Sequence, residues 1–231
     1  ADKGMPTDLS KVLYVELVAP EGYVVKTKKY KLDDDGTCFV SGIGSCTDTI
    51  VFIPKEYGGM PVTGIGPGAF AECYPLQAVV IPDSVTYISE NAFGNCHNLV
   101  HVVIPGSVAS IGDGAFSNCH MLSTVDMGDG VSYIGNNAFI SCYSLAGIDL
   151  PDSVTYIGVC AFAYNASLTG IKIPAGVSEI GEHAFEGCGN LTSINLHIDV
   201  QTIGWGAFFE CYSLNDVYYD GTESRWNLIT I

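Results

Sequence analysis

Residues 99–121 read LVHVVIPGSVASIGDGAFSNCHM, and Leu122 starts the same pattern again. The pair Ala115-Phe116 inside this stretch recurs at Ala69-Phe70, Ala92-Phe93, Ala138-Phe139, Ala161-Phe162, Ala184-Phe185 and Ala207-Phe208, every step being 23 residues. Other columns keep the same period. One runs Cys73, Cys96, Cys119, Cys142, Asn165, Cys188, Cys211, and another Leu76, Leu99, Leu122, Leu145, Leu168, Leu191, Leu214. Further columns hold Val or Ile, among them Val79 to Val217, Val85 to Val200 and Ile88 to Ile203. A fixed period in many columns at once marks a stacked repeat array, in which one unit cannot bury its apolar edge alone.

The spacing within a unit gives its course. Val79 and Ile81 alternate as in a short strand with one face inward, and Pro82, which cannot donate to a ladder, ends it. Val85 and Ile88 belong to a second inward-facing extended segment. The glycines that follow in later units (Gly112, Gly135, Gly158, Gly181, Gly204) suit a tight turn with positive φ. Ala69, Phe70, Cys73 and Leu76 then fall at helical spacing. Each coil is therefore expected to run strand, turn, extended segment, turn, short helix-like corner, with seven coils in all.

The unit, written L-x-x-V-x-I-P-x-x-V-x-x-I-G-x-x-A-F-x-x-C, resembles the BspA-type leucine-rich repeat of bacterial surface proteins. Residues 53–70, IPKEYGGMPVTGIGPGAF, resemble that family's entry repeat, with a five-residue insertion between Pro54 and Val62. Residues 217–229, VYYDGTESRWNLI, resemble its exit segment. The likeness spans about residues 50–229. It departs at Asn165, which replaces a column cysteine, and at Gly128, His197 and Asp220, which replace Pro. It implies a right-handed leucine-rich-repeat β-solenoid with one parallel strand per coil, a short helix-like corner and a small N-terminal β cap. The expected organisation is a tail over 1–11, a β cap over 12–53, the solenoid over 54–216 and a C-terminal cap over 217–231. VLYVELVA and YVVKTKKYKL supply strand-like stretches for the N-terminal cap, and Trp226 is placed over the last coil.

Charge narrows the partners. Residues 1–55 hold seven Lys and eight acids, whereas residues 56–231 hold only Lys172 and Arg225 against 17 acids. A surface this acidic repels phosphate, so nucleic acid and anionic lipid are poor partners. No apolar run approaches the roughly 18 residues a membrane helix needs. Residues 1–10 have neither the basic nor the apolar region of a signal peptide.

The residues that often carry chemistry read mostly as structure. Six of the nine cysteines stand 23 residues apart, unlike the short spacing of zinc sites. Such a column reads as buried thiols at a corner; Cys38 and Cys46 are the better disulfide candidates, and Cys160 a packed thiol outside the column. His97 and His120 follow column cysteines on consecutive coils, in a column filled elsewhere by Tyr74, Tyr143 and Tyr212. His183 follows Glu182 but has no H-E-x-x-H frame, and Gly64-Ile65-Gly66-Pro67-Gly68 lacks the G-K-[ST] of a phosphate loop. The DDDG of Asp33–Gly36 lacks the twelfth-position Glu of a calcium loop. No catalytic set, cofactor site or metal site is expected.

The outward surface remains. Next to the Val and Ile columns of the first strand stand His101, Asp126, Asp149, Lys172, Asn195 and Tyr218, and before the Ile column of the second segment stand Tyr87, Tyr133 and Tyr156. Aromatic side chains anchor interfaces, though tyrosines also stack across exposed strands. The resemblance implies a non-enzymatic cell-surface or secreted protein that binds a protein, or a glycan, through its repeat face. An accessory module of a larger secreted enzyme and a passive spacer are the alternatives.

Overall fold

The computed structural model describes residues 29–33, 35–42 and 47–231. The expected tail, the stretch VLYVELVA, most of YVVKTKKYKL, and Cys46 lie outside the described residues.

The chain winds as a β-solenoid in which both extended segments of a coil pair with the equivalent segments of its neighbours. The second segments form the longer ladder: Met60–Ile65, Tyr87–Ile88, Ser110–Ile111, Tyr133–Ile134, Tyr156–Ile157, Glu179–Ile180 and Thr202–Ile203, all parallel. Cys38–Gly42 joins this ladder in parallel on Met60–Ile65, and Lys29–Leu32 closes it antiparallel. Cys38 and Val40 thus occupy inward positions of a further turn, so seven sequence repeats make about eight turns. No Ala-Phe pair marks that turn in the sequence. The insertion between Pro54 and Val62 forms a two-residue hairpin, Glu56–Tyr57 against Met60 and Pro61, around Gly58 and Gly59 at φ of 62° and 80°. Positive φ at both central residues is the tight-hairpin geometry that favours glycine.

The first segments form two shorter parallel sheets. Ile50–Phe52, Ala78–Val80, His101–Ile104 and Thr124–Met127 make one; Gly170–Lys172, Ser193–Leu196 and Asp216–Tyr219 make the other. Between them Ala146–Leu150 stays in line without strand pairing. That coil reads Ala-Gly-Ile-Asp-Leu there, and Ala, Gly and Asp are poor strand residues.

The helix-like corner consists of turns with i to i−3 bonds, such as Cys96 N–H to Phe93 O and Leu99 N–H to Cys96 O. A residue at positive φ breaks each corner (Glu72, Asn95, Asn118, Ser141, Tyr164, Gly187, Glu210), so no helix propagates. The freed backbone groups bond between coils instead: Phe93, Phe116, Phe139 and Phe162 N–H each donate to the Ala carbonyl one coil on, at 2.7 to 2.8 Å.

The glycines after the Ile column correct the sequence reading. Gly112, Gly135, Gly158, Gly181 and Gly204 do not have positive φ. They are required for space. A Cβ at Gly112 would lie 2.7 Å from Glu90 N, and one at Gly158 2.6 Å from Asn136 N. The backbone of the preceding coil passes directly over them.

The core is the sum of the columns. Phe70 through Phe208 form one continuous stack with ring centroids 4.8 to 5.6 Å apart and interplanar angles of 8° or less. Val, Ile, Leu and Ala columns surround it and are nearly all buried up to Ala207. At the last coil, Trp226 of the short helix Glu223–Trp226 meets Tyr219 edge-on at 5.5 Å and packs against the core.

Candidate functional site

The nine outward residues separate onto two faces. Tyr87, Tyr133 and Tyr156 stand on the ladder of second segments; His101, Asp126, Asp149, Lys172, Asn195 and Tyr218 stand on the line of first segments. A single patch holding all nine does not exist.

The three tyrosines do not form one platform. Tyr133 and Tyr156 stack at 4.7 Å and 3°, but Ser110 lies between Tyr87 and Tyr133 in the register. Tyr87 instead lies flat over Gly64, where any Cβ would clash with its ring. Burial, and then the nearby Asp33 carboxylate, raise its hydroxyl pKa. Tyr87 is committed to packing against the N-terminal turn.

On the other face, His101 reaches Asp126 of the next coil at 3.7 Å. Asp149 sits on the coil that lacks a strand. The remaining three residues lie in direct register, Lys172 opposite Asn195 and Asn195 opposite Tyr218. Together with His197, Asp220 and the buried Ile173 they line an open groove of about 370 Å³. His197 and Asp220 are two of the three departures from Pro, so losing Pro there adds two polar side chains to the groove. The sequence showed the substitutions but not that they adjoin Lys172.

Two polar clusters lie elsewhere. On the corner, Tyr74, His97, His120 and Tyr143 stack ring on ring, His97 and His120 at 4.4 Å and 7°. Burial and the neighbouring imidazole lower the pKa of His120. Near the C-terminal end, His183 and Cys160 occupy the same position of adjacent coils, both at positive φ. His183 Nδ1 lies 2.7 Å from Glu186 Oε2, and Tyr164 donates to Glu186 Oε1 at 2.7 Å. The Cys160 thiol is not activated by this setting. Burial, then Glu186 and Glu182, raise its pKa, which disfavours the thiolate a nucleophile needs. No group of three or more His, Cys, Asp or Glu suited to a metal occurs among the described residues.

The cysteine column is a structural device. Cys96, Cys119, Cys142 and Cys188 donate to the carbonyls of Phe70, Phe93, Phe116 and Phe162 at 3.1 to 3.2 Å. Asn165 does the same with two bonds, to Phe139 O at 3.0 Å and Phe162 O at 2.9 Å. Each thiol or amide ties its corner carbonyl to the next coil, in several corners as a second bond beside the backbone one, such as Cys96 N–H to Phe93 O. Burial pushes Cys96, Cys142 and Cys188 up to about 12 and Cys119 well above its usual range. Two cysteine expectations need correction. Cys73, at the head of the column, is disulfide-bonded. Cys38 is a buried free thiol between the Met60 and Pro61 carbonyls, so no Cys38–Cys46 bridge exists. Cys38 points inward as a strand residue of the added turn and packs in the core as a thiol.

This architecture, a parallel β-solenoid of short coils with a Phe stack and a Cys/Asn column, defines a leucine-rich-repeat protein. BspA type leucine rich repeat region matches cover residues 63–188 and 132–225, with six copies. The chain belongs to this family. It is similar to a leucine-rich repeat protein from Bacteroides ovatus, at 33% identity and a TM-score of 0.77, over 85% of this chain and 52% of that one. The chain thus spans about half the length of that relative. It is also similar to a leucine rich repeat protein from T. pallidum, at 30% identity and a TM-score of 0.78, over 84% of this chain and 90% of that one. No curated protein matches the chain. Among the described residues no helix is long and apolar enough to cross a membrane.

Proposed function

We propose that this chain is a non-enzymatic recognition module of a bacterial cell-surface or secreted protein, and that it binds its partner on the first-segment face near the C-terminal end. One observation carries the reading. Lys172, Asn195 and Tyr218 stand in register on three adjoining strands and line an open groove with His197 and Asp220. A rigid repeat face that presents varied exposed side chains at fixed spacing is how solenoids build extended binding surfaces. The acidic balance of residues 56–231 disfavours nucleic acid and anionic lipid as partners.

The test is a binding screen of the purified chain against extracellular matrix and bacterial surface proteins. It includes a Lys172→Ala/Tyr218→Ala variant and a Tyr133→Ser/Tyr156→Ser variant. The reading expects a hit that the first variant loses and the second keeps. A hit lost only in the second moves recognition to the other face; the absence of any hit supports a passive spacer.

A further inference from the structure

Tyr218 differs from the other tyrosines of the strand faces. Tyr133 and Tyr156 cover each other, and Tyr87 covers Gly64. Tyr218 is 57% exposed and stacks on no other ring among the described residues. Its ring borders the groove with both a flat apolar surface and a hydroxyl on offer.

The polar groups around it are also uncommitted. The side chains of Lys172, Asn195 and Asp220 make no hydrogen bond or ion pair among the described residues. They offer an ammonium with three donors, an amide that both donates and accepts, and a carboxylate that accepts. Lys172, Asn195 and Tyr218 follow one another across adjoining strands at steps of roughly 5 Å, with Asp220 two residues beyond Tyr218, so the polar groups are spread over about 10 Å, a length on the order of two sugar residues rather than one.

Charge and shape narrow the ligand. Lys172 and Asp220 cancel, so the groove is locally neutral on a solenoid that is otherwise strongly acidic. A neutral groove selects neither a polyanion nor a polycation. Its only apolar lining residue is Ile173, which is 1% exposed and forms a floor rather than a pocket. A peptide anchor would need a desolvated pocket for a large side chain, and the groove has none.

We propose that this groove binds a neutral saccharide, with the Tyr218 ring as the stacking surface and Lys172, Asn195 and Asp220 as hydroxyl partners. The inference rests on reading the C-terminal first-segment face as the recognition surface and names what that face takes. Its source can be a free polysaccharide or a glycan carried by a protein.

Titration calorimetry with neutral cello-, manno-, xylo- and malto-oligosaccharides tests it, with an acidic oligogalacturonide as comparator. At least one neutral series should bind with millimolar affinity or better, and the acidic one more weakly. Tyr218→Ala should weaken binding at least ~10-fold, and Tyr133→Ser should leave it unchanged. Both residues are exposed, and thermal melts establish that the variants are folded. No neutral saccharide bound at about 10 mM, or unchanged binding by Tyr218→Ala, overturns the inference. If a protein ligand is still lost on Lys172→Ala/Tyr218→Ala, the recognition face stands and only the saccharide falls.

Discussion

Phe139 and Phe208 hold the same column position, yet the solenoid treats them differently. Phe139 is fully buried, with Phe116 stacked at 5.2 Å on one side and Phe162 at 5.5 Å on the other. Truncating it to alanine removes roughly 150 Å² of buried ring at about 25 cal/mol per Å², near 4 kcal/mol. Losing two stacking partners adds to this, and partial collapse of the neighbouring coils offsets some of it. The expected cost of Phe139→Ala is about 3–5 kcal/mol. Phe208 is only partly buried and, among the described residues, stacks on Phe185 alone, at 5.6 Å. Its truncation should cost about 1–2 kcal/mol, since fewer neighbours lose contact. Urea denaturation followed by circular dichroism gives both midpoints under the same conditions. The reasoning is refuted if the two variants lose equal stability, or if Phe139→Ala stays within about 1 kcal/mol of wild type. Either result would mean that the Phe stack is not the buried axis of the coils.

Other predictions follow from single contacts. Asn165→Ala leaves the Phe139 carbonyl without its Asn165 bond and should cost about 2–3 kcal/mol in the same denaturation assay. Asn165→Cys restores the column donor and removes an Oδ1 that has no partner, so it should fall within about 1 kcal/mol of wild type. Stability should fall above pH 9 in reductant. The buried thiols of Cys96, Cys142 and Cys188 ionise near about 12 in the folded chain and lower when unfolded, so their contribution is full below pH 9 and lost between about 9 and 12. Each contributes on the order of 1.4 kcal/mol of loss per pH unit in that window; a flat melting temperature from pH 8 to 10.5 would contradict their burial. Tyr133→Ser should change stability by less than about 1 kcal/mol, because the residue is 38% exposed and, among the described residues, its ring stacks only on Tyr156. A loss of 3 kcal/mol or more, a core-sized cost, would place that ring inside the fold.

The repeat columns were legible because burial in a solenoid is periodic. A residue that faces the core in one coil faces it in every coil, so Phe, Leu, Cys and Val columns declare their own inward direction. The glycine column was legible as glycine but not for its cause. Positive φ and close backbone approach both demand glycine, and only the position of the neighbouring coil separates them. The added turn from Cys38–Gly42 was hidden because it lacks the corner residues that mark the others. The bonding of Cys73 and the free thiol of Cys38 were hidden because a cysteine's partner is a matter of distance, not of residue type.

The candidate site shows the same division. Lys172, Asn195 and Tyr218 could be read as one outward column, since the 23-residue period aligns them. That His197 and Asp220 complete a groove beside them, while Tyr87 is consumed in covering Gly64, could not. By itself the sequence determined the coil, its period and its inward face, because those depend on local spacing and the drive to bury apolar side chains. Only the tertiary structure decided which outward side chains remain free to meet a partner, because that depends on what lies across from each one in space.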